Sequence, residues 1–524
     1  MKLLRRILNL MLLSVPVILA AQGVSYLQLR TADGMLEGVV SSDGKVRTFK
    51  GIPYAAAPVG ALRWKPPQPV VPWTGVRKAS DYGPRAMQGR IYDDMIFNDD
   101  GPSEDCLYLN LWMPAKPSTD KLPVMVWIHG GGFAAGSSSE PRQDGGNLSK
   151  KGVMVVSMNY RMGVFGFFAH PELAKESEHG ASGNYGLLDI LAALQWVKRN
   201  IATFGGDPEN VTIFGQSAGS SAVSALMASP LGRGLFQRAI GESGSTLNPV
   251  RPLATRAQAE QAGAKFAEEA FGPSSLQQLR ALSAQQLLEA ALKVPPETFR
   301  LDVDGWLLPE STTTIFAAGR QNHVSLIAGW NTDEGNYRSF FSEDEPTLAN
   351  YVARARIKFG ENAEAFLKAY AATTDMEAKH SARDFASDQP RGYGIWNWLN
   401  LHRQTGNTPV WRFKFEQTLP PAPEAKPGAE AVAPHSAEIE FVFRVLSSRH
   451  LPWRPEDHAV SELMADYWTN FAKTGNPNGP GLPLWPAYDA STGDQVMHIK
   501  TQSVSAPDAQ RARYEFIERV NPAG

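Results

Sequence analysis

Cysteine is all but missing: Cys106 is the single one in 524 residues. A lone thiol excludes an intramolecular disulfide framework, a CxxC redox pair and a thiolate-rich zinc site. An excess of either charge is missing too. Lys and Arg total 51 against 53 Asp and Glu, a net charge of −2, so no broad basic field exists to attract nucleic acid. Beyond the first few turns of chain, no apolar run is long enough to cross a bilayer. What is present is a globular composition, 43% hydrophobic and 20% charged, with 46 Gly and 38 Pro. That balance excludes disordered, collagen-like and coiled-coil chains and implies many loops around a large core.

The N-terminus stands apart from that core. Lys2, Arg5 and Arg6 precede an apolar run from Ile7 to Ala20, interrupted by Asn9, Ser14 and Pro16, with small residues at Ala20, Ala21 and Gly23. A charged start, a short apolar stretch and small residues form a secretory signal peptide, assigned to residues 1–22. The run falls short of the ~20 residues a spanning helix needs. The expectation is cleavage and export, periplasmic or secreted, with no membrane span retained. The surroundings of Arg5-Arg6 match the twin-arginine pattern poorly.

From Leu122 to Val223 strand-like and helix-like segments alternate. Val124–Ile128 is apolar on both faces, as a central parallel strand must be, and Val153–Met158 is a second such run. Leu187, Ile190, Leu191, Leu194, Val197 and Ile201 have the spacing of an amphipathic helix. Val211–Phe214 is a third strand, and repetition of strand, helix, strand implies an α/β chain with a mostly parallel sheet covered by helices. Leu419–Pro434, rich in Pro, Ala and Glu, reads as a surface loop; Trp411–Phe415 and Glu438–Phe443 on either side read as strands.

Gly215-Gln216-Ser217-Ala218-Gly219 follows the Val211–Phe214 strand and opens a helix-compatible run, Ser220–Met227. This is the context in which G-x-S-x-G forms a sharp turn that exposes its serine hydroxyl. A serine attacks a carbonyl only when a base removes its proton and donors await the oxyanion. His129-Gly130-Gly131-Gly132-Phe133 directly follows the Val124–Ile128 strand. Its glycines can turn backbone N–H groups toward a ligand, and without a following Lys-Ser/Thr the loop is not a phosphate loop. An oxyanion hole belongs at that position.

These motifs, with others along the chain, resemble the type-B carboxylesterases, the α/β-hydrolase group that also holds cholinesterases, bacterial para-nitrobenzyl esterases and fungal lipases. The likeness runs from about Phe49 to Tyr488. It includes Phe49–Ala55, Leu62-Arg63-Trp64, Ser103–Asn110, Asn159-Tyr160-Arg161, Gly183–Gly186, Gly205–Pro208, Gly475–Asn478 and Trp485-Pro486. The resemblance implies an α/β-hydrolase fold with large loop and helical insertions forming a gorge, and hence one enlarged domain over residues 23–524. It implies Ser217 as nucleophile, Glu334 of Asp333-Glu334-Gly335 as acid and His435 as base. Chain order alone leaves Asp333 and the histidines His380, His402, His450, His458 and His498 open as alternatives. The resemblance further places the oxyanion on the N–H groups of Gly131, Gly132 and Ala218, gives Ser243 a supporting role, and implies an acyl-enzyme mechanism with neither cofactor nor metal.

Three departures narrow the expectation. Many relatives pair the cysteine of the S-E-D-C-L motif with one upstream, where this chain has Ala86, so Cys106 is expected as a buried free thiol. No Trp occurs between Ile91 and Pro102, where cholinesterases carry one for choline, and Gln216 stands where they carry Glu. Both changes point to neutral short- to medium-chain or xenobiotic esters as the small-molecule substrates. A lipase for longer acyl chains is the alternative, with Met87–Asp100 and Leu276–Leu292 as candidate lids. A non-catalytic binding member is a weaker one, because no triad residue is lost.

Overall fold

Strands that are apolar on both faces require a sheet covered twice, and the computed structural model contains one. It describes residues 27–116, 121–425 and 430–521; the segment read as a signal peptide, 1–22, lies outside the described residues. The sheet has eleven strands. In chain order they are β1 (Val39–Val40), β2 (Val46–Pro53), β3 (Tyr108–Pro114), β4 (Leu122–Ile128), β5 (Met154–Met158), β6 (Gly206–Gln216), β7 (Arg238–Glu242), β8 (Ser325–Asn331), β9 (Val410–Phe415), β10 (Gln495–Ile499) and β11 (Val504–Pro507). Across the sheet they run β11-β10-β9-β8-β7-β6-β4-β5-β3-β2-β1. The block from β10 to β5 is parallel, and antiparallel strands finish both edges.

Alternation along β4 shows how the two faces are served. Val124, Val126 and Ile128 enter one core; Met125 and Trp127 enter the other. The first face is covered by helices α1 (Tyr185–Asn200), α2 (Ala218–Ala228) and α3 (Tyr393–Thr405), the second by α4 (Ile439–Phe443) and α5 (Pro455–Thr474). Among the described residues no helix is long and apolar enough to cross a membrane.

The chain passes from β4 to β5 on one side and returns to place β6 on the other side of β4. Such a reversal opens a crevice at the carboxyl ends of the strands, the place where open α/β sheets bind ligands.

Most expected elements form close to their expected bounds, with one exception. Glu438–Phe443 is not a strand; Ile439–Phe443 is the helix α4. Its apolar run is buried on all sides, and a short continuous apolar run does not distinguish a buried strand from a buried helical turn. The position beside β9 is taken by β10. The chain instead coils at Ser436 (φ 66°) and stops at Arg444, which is left-handed. β6 also starts earlier than expected, at Gly206, with its register shifted between Gly206 and Val211.

Candidate active site

Strand pairing assembles the site. Ile128, the last residue of β4, lies opposite Gly215 of β6, so the glycine loop and the G-x-S-x-G turn emerge side by side. Ser217 has φ 56° and ψ −120°, a strained conformation between strand and helix. Its N–H donates to Glu242 O at 2.8 Å, and its own carbonyl starts α2 by accepting from Ser221 N–H at 2.9 Å. Gly219 must be glycine, since a Cβ there would lie 1.9 Å from Ile128 O. Gly131 has φ +108°, and a Cβ would lie 1.8 Å from Ala135 O. The N–H groups of Gly131, Gly132 and Ala218 find no acceptor among the described residues, and all three residues line the same cavity as Ser217.

Glu334 follows β8 and His435 follows β9, strands paired in parallel as far as Asn331 and Phe415. The loops beyond them are tied together. Asp333 N–H donates to Ala433 O at 3.0 Å, Ala433 N–H to Asp333 Oδ2 at 2.8 Å, and Asn331 Nδ2 to Pro434 O at 2.7 Å. Across that clamp His435 Nδ1 lies 2.6 Å from Glu334 Oε2, and His435 Nε2 lies 2.9 Å from Ser217 Oγ. Serine, imidazole and carboxylate thus form one hydrogen-bonded line, on the wall of a cavity of about 530 Å³.

The family model for the Carboxylesterase family matches residues 25–517. The chain belongs to the carboxylesterase family. A fumonisin B1 esterase of Sphingopyxis macrogoltabida is 36% identical over 88% of this chain and 84% of its own length. Carboxylesterase 1E of Mus musculus is 36% identical over 87% and 86%, and a medium-chain fatty acyl-CoA hydrolase precursor of Anas platyrhynchos 35% over 91% and 88%. The activity is carboxylic ester hydrolysis, on an α/β-hydrolase fold.

In this carboxylesterase the acid of the line is held ionised. Burial works to raise the Glu334 pKa, but His435, Arg391 and the Ser243 hydroxyl together outweigh it and bring it down to about 2. Arg391 Nε stands 3.3 Å from Glu334 Oε2, and Asn331 N–H donates to Oε1 at 2.9 Å. Behind lies a second carboxyl, Glu438, which accepts from Ser243 Oγ at 3.2 Å and from Asn331 Nδ2 at 2.5 Å. Burial, and then the charge of Glu334, push Glu438 up to about 8. Glu242, accepting from Trp468 Nε1 at 2.8 Å, is raised for the same two reasons, burial and the adjacent Glu438. The line's own carboxyl, Glu334, is thus held ionised while the two behind it, Glu438 and Glu242, are pushed toward the protonated form.

The other candidates read from sequence lie elsewhere. Asp333, the runner-up acid, accepts from Ala433 and pairs with Arg383 at 3.0 Å as part of the clamp. His402 bonds Val324 O, and His498 bonds Glu416. His129, buried and stacked on Tyr160, is lowered by burial to about 4 and stays neutral. Of the two candidate lids, Met87–Asp100 lines the cavity through Tyr92, Asp94 and Met95, whereas Leu276–Leu292 contributes no lining residue. Instead Leu276, Leu279 and Leu287 are buried in the core. Cys106 is a free, buried thiol that burial makes hard to ionise, and it shares a small cavity with Ala86. Among the described residues no group of His, Cys, Asp and Glu could hold a metal ion.

Sequence reasoning missed Arg391, Asn331 and Glu438. Arg391 belongs to a π-helical turn, Asp388–Gly392, with no motif around it. Glu438 lay within a stretch read as a strand.

Proposed function

We propose that Ser217 is the nucleophile of a serine esterase mechanism, with His435 as general base and Glu334 as its orienting acid. The observation that carries this reading is the unbroken line Ser217 Oγ, His435 Nε2, His435 Nδ1, Glu334 Oε2 at 2.9 and 2.6 Å. For Nε2 to accept the serine proton, Nδ1 must carry the other hydrogen and donate it to an ionised carboxylate, the state in which Glu334 is held. Attack on the ester carbonyl creates an oxyanion opposite the unpartnered N–H groups of Gly131, Gly132 and Ala218, each worth ~10²–10³ in rate by analogy with measured oxyanion donors. His435 then returns the proton to the departing alcohol. Water, activated by the same imidazole, releases the acid from Ser217. Ser243 supports the line from behind by its hydrogen bond to Glu438 and its closeness to Glu334. The cavity volume suits a small-molecule ester.

Ser217→Ala in the purified protein is expected to abolish hydrolysis of p-nitrophenyl acetate and butyrate and labelling by a fluorophosphonate. Turnover that persists undiminished would overturn the assignment.

The proposal extends to residues 23–524 as a single catalytic domain, exported after removal of residues 1–22. Support comes from the charged and apolar N-terminal pattern and from a family match that begins only at residue 25. Export predicts mature protein outside the cytoplasm, with an N-terminus near Gln22 or Gly23 on sequencing. Full-length protein recovered wholly from the cytoplasm would refute it.

A further inference from the structure

Among the described residues, the cavity that holds Ser217 is lined by four arginines, Arg142, Arg251, Arg300 and Arg391, and by no lysine. Two of them are accounted for. Arg142 pairs with Glu140 at 2.7 Å and Asp94 at 3.1 Å; Arg391 stands against Glu334. The remaining pair has no carboxylate within 4.0 Å among the described residues. Glu297, the other acid lining that wall, contributes its backbone carbonyl to Arg300 Nε at 3.0 Å.

Topology brings these two guanidinium groups together. Ala254–Thr255 and Asp302–Val303 form a two-stranded parallel ribbon, with Ala254 opposite Asp302. Arg251 and Arg300 lie just before the two strands, and Leu253 and Leu301 between them line the cavity as well. Both arginines are exposed, which sets them on the rim. Partial desolvation against the cavity wall and the charge of Arg251 lower the Arg300 pKa, with Glu297 opposing. The turn of Arg251 is anchored: its N–H donates to Asn248 O at 3.1 Å, and Asn248 Nδ2 reaches the carbonyls of Gln389 and Pro390 at 3.0 Å each. That bond joins the Arg251 turn to the segment bearing Arg391. Two like charges are thus held on one rim of a concave site in a protein of net charge −2, where low-dielectric walls focus their field on an entering ligand. Guanidinium groups match a carboxylate by geometry as well as by charge.

We propose that Arg251 and Arg300 form a carboxylate-binding rim, and that the preferred substrates of this esterase carry a free carboxylate in addition to the ester that is cleaved. This deepens the proposed function and rests on Ser217 being the nucleophile. It also departs from the neutral esters expected from sequence, where only the two cholinesterase positions could be compared.

The carboxylate can sit on the acyl or the alcohol portion, and two matched pairs of esters separate the cases. Ethyl hydrogen glutarate against ethyl pentanoate tests the acyl side; 4-acetoxybenzoate against 4-methylphenyl acetate tests the alcohol side. Each is followed by pH-stat at neutral pH. In the wild-type protein kcat/KM is expected to favour the charged ester at least ~tenfold in one of the pairs, the size of a charged hydrogen bond. The preference should shrink as salt is raised and fall at least ~tenfold in R251Q/R300Q. Glutarate is expected to inhibit hydrolysis of the neutral esters competitively, a measurement on the wild-type protein that does not depend on the variant folding. Charged-to-neutral ratios of one or less in both pairs would overturn the proposal, as would a preference that R251Q/R300Q leaves intact. Absence of all four activities from the wild-type protein, or their persistence in Ser217→Ala, would instead overturn the proposed function on which this rests.

Discussion

Glu438→Gln tests how the site keeps Glu334 charged beside a second buried carboxyl that holds its proton. Folded Glu438 holds its proton to about 8 rather than the ordinary 4.5. As pH climbs through that window the unfolded chain releases a proton that the folded protein retains, so folding loses stability with rising pH. At ~1.4 kcal/mol per pH unit, the loss by pH 8 is on the order of a few kcal/mol. Glutamine has no such proton to lose. Its carbonyl can accept from Asn331 Nδ2 and its amide can donate to the Ser243 hydroxyl, partners that Glu438 already has. The stability of E438Q relative to wild type is therefore expected to rise steadily from about pH 5 to about pH 8. Differential scanning calorimetry at about four pH values would read it as a gap of a few degrees, since ~1 kcal/mol moves a large domain by only ~2 °C or so. A gap that stays constant across the range would refute the reasoning, because Glu438 would then be ionised throughout. Glu334 supplies the opposite sign. Its folded pKa lies below the ordinary value, so it adds stability that is complete above about pH 4.5 and fades as pH falls toward 2.

Arg161 and Asp189 form a buried bidentate pair, Nε to Oδ2 at 2.8 Å and Nη2 to Oδ1 at 2.7 Å. Asp189→Ala leaves the guanidinium alone in the core and should lower stability by about 3–5 kcal/mol, read by chemical denaturation. The Cys106 thiol should resist Ellman's reagent in the native protein and react once it is unfolded, given its burial and raised pKa. Ala86→Cys, facing the same small cavity as Cys106, is expected to form a disulfide on oxidation. Closing that loop should add ~3 kcal/mol, measured as a higher midpoint in the oxidised than in the reduced variant.

How much of this site was legible depended on how local each signal was. Ser217 and the glycine loop announce themselves, because a strand, a turn and a helix leave their marks within a few residues of one another. Glu334 and His435 do not. They meet across 101 residues of chain, and nothing local separates Glu334 from Asp333, or His435 from five other histidines; only resemblance to a family did so. The parallel sheet was legible because its central strands are apolar on both faces. α4 was misread because full burial erases periodicity. Arg391, Arg251 and Arg300 could not have been found, since an arginine with no motif around it looks the same in sequence whether it faces bulk water or a cavity.

The clamp between the loops after β8 and β9 has one more consequence. Leu419 N–H donates to Val432 O at 2.9 Å, so the chain that leaves β9 is brought back to its starting side just before it meets Asp333 and delivers His435. Glu430 is tied back to the clamp through Arg383, which pairs with both Glu430 and Asp333, but residues 421–425 make no bond to it among the described residues and are mostly exposed. Doubling the length of such a loop costs only about 0.6 kcal/mol in closure entropy. This stretch is a place where evolution, or an engineer, can insert a tag, a glycan acceptor or a binding module and leave the distance from His435 to Ser217 unchanged.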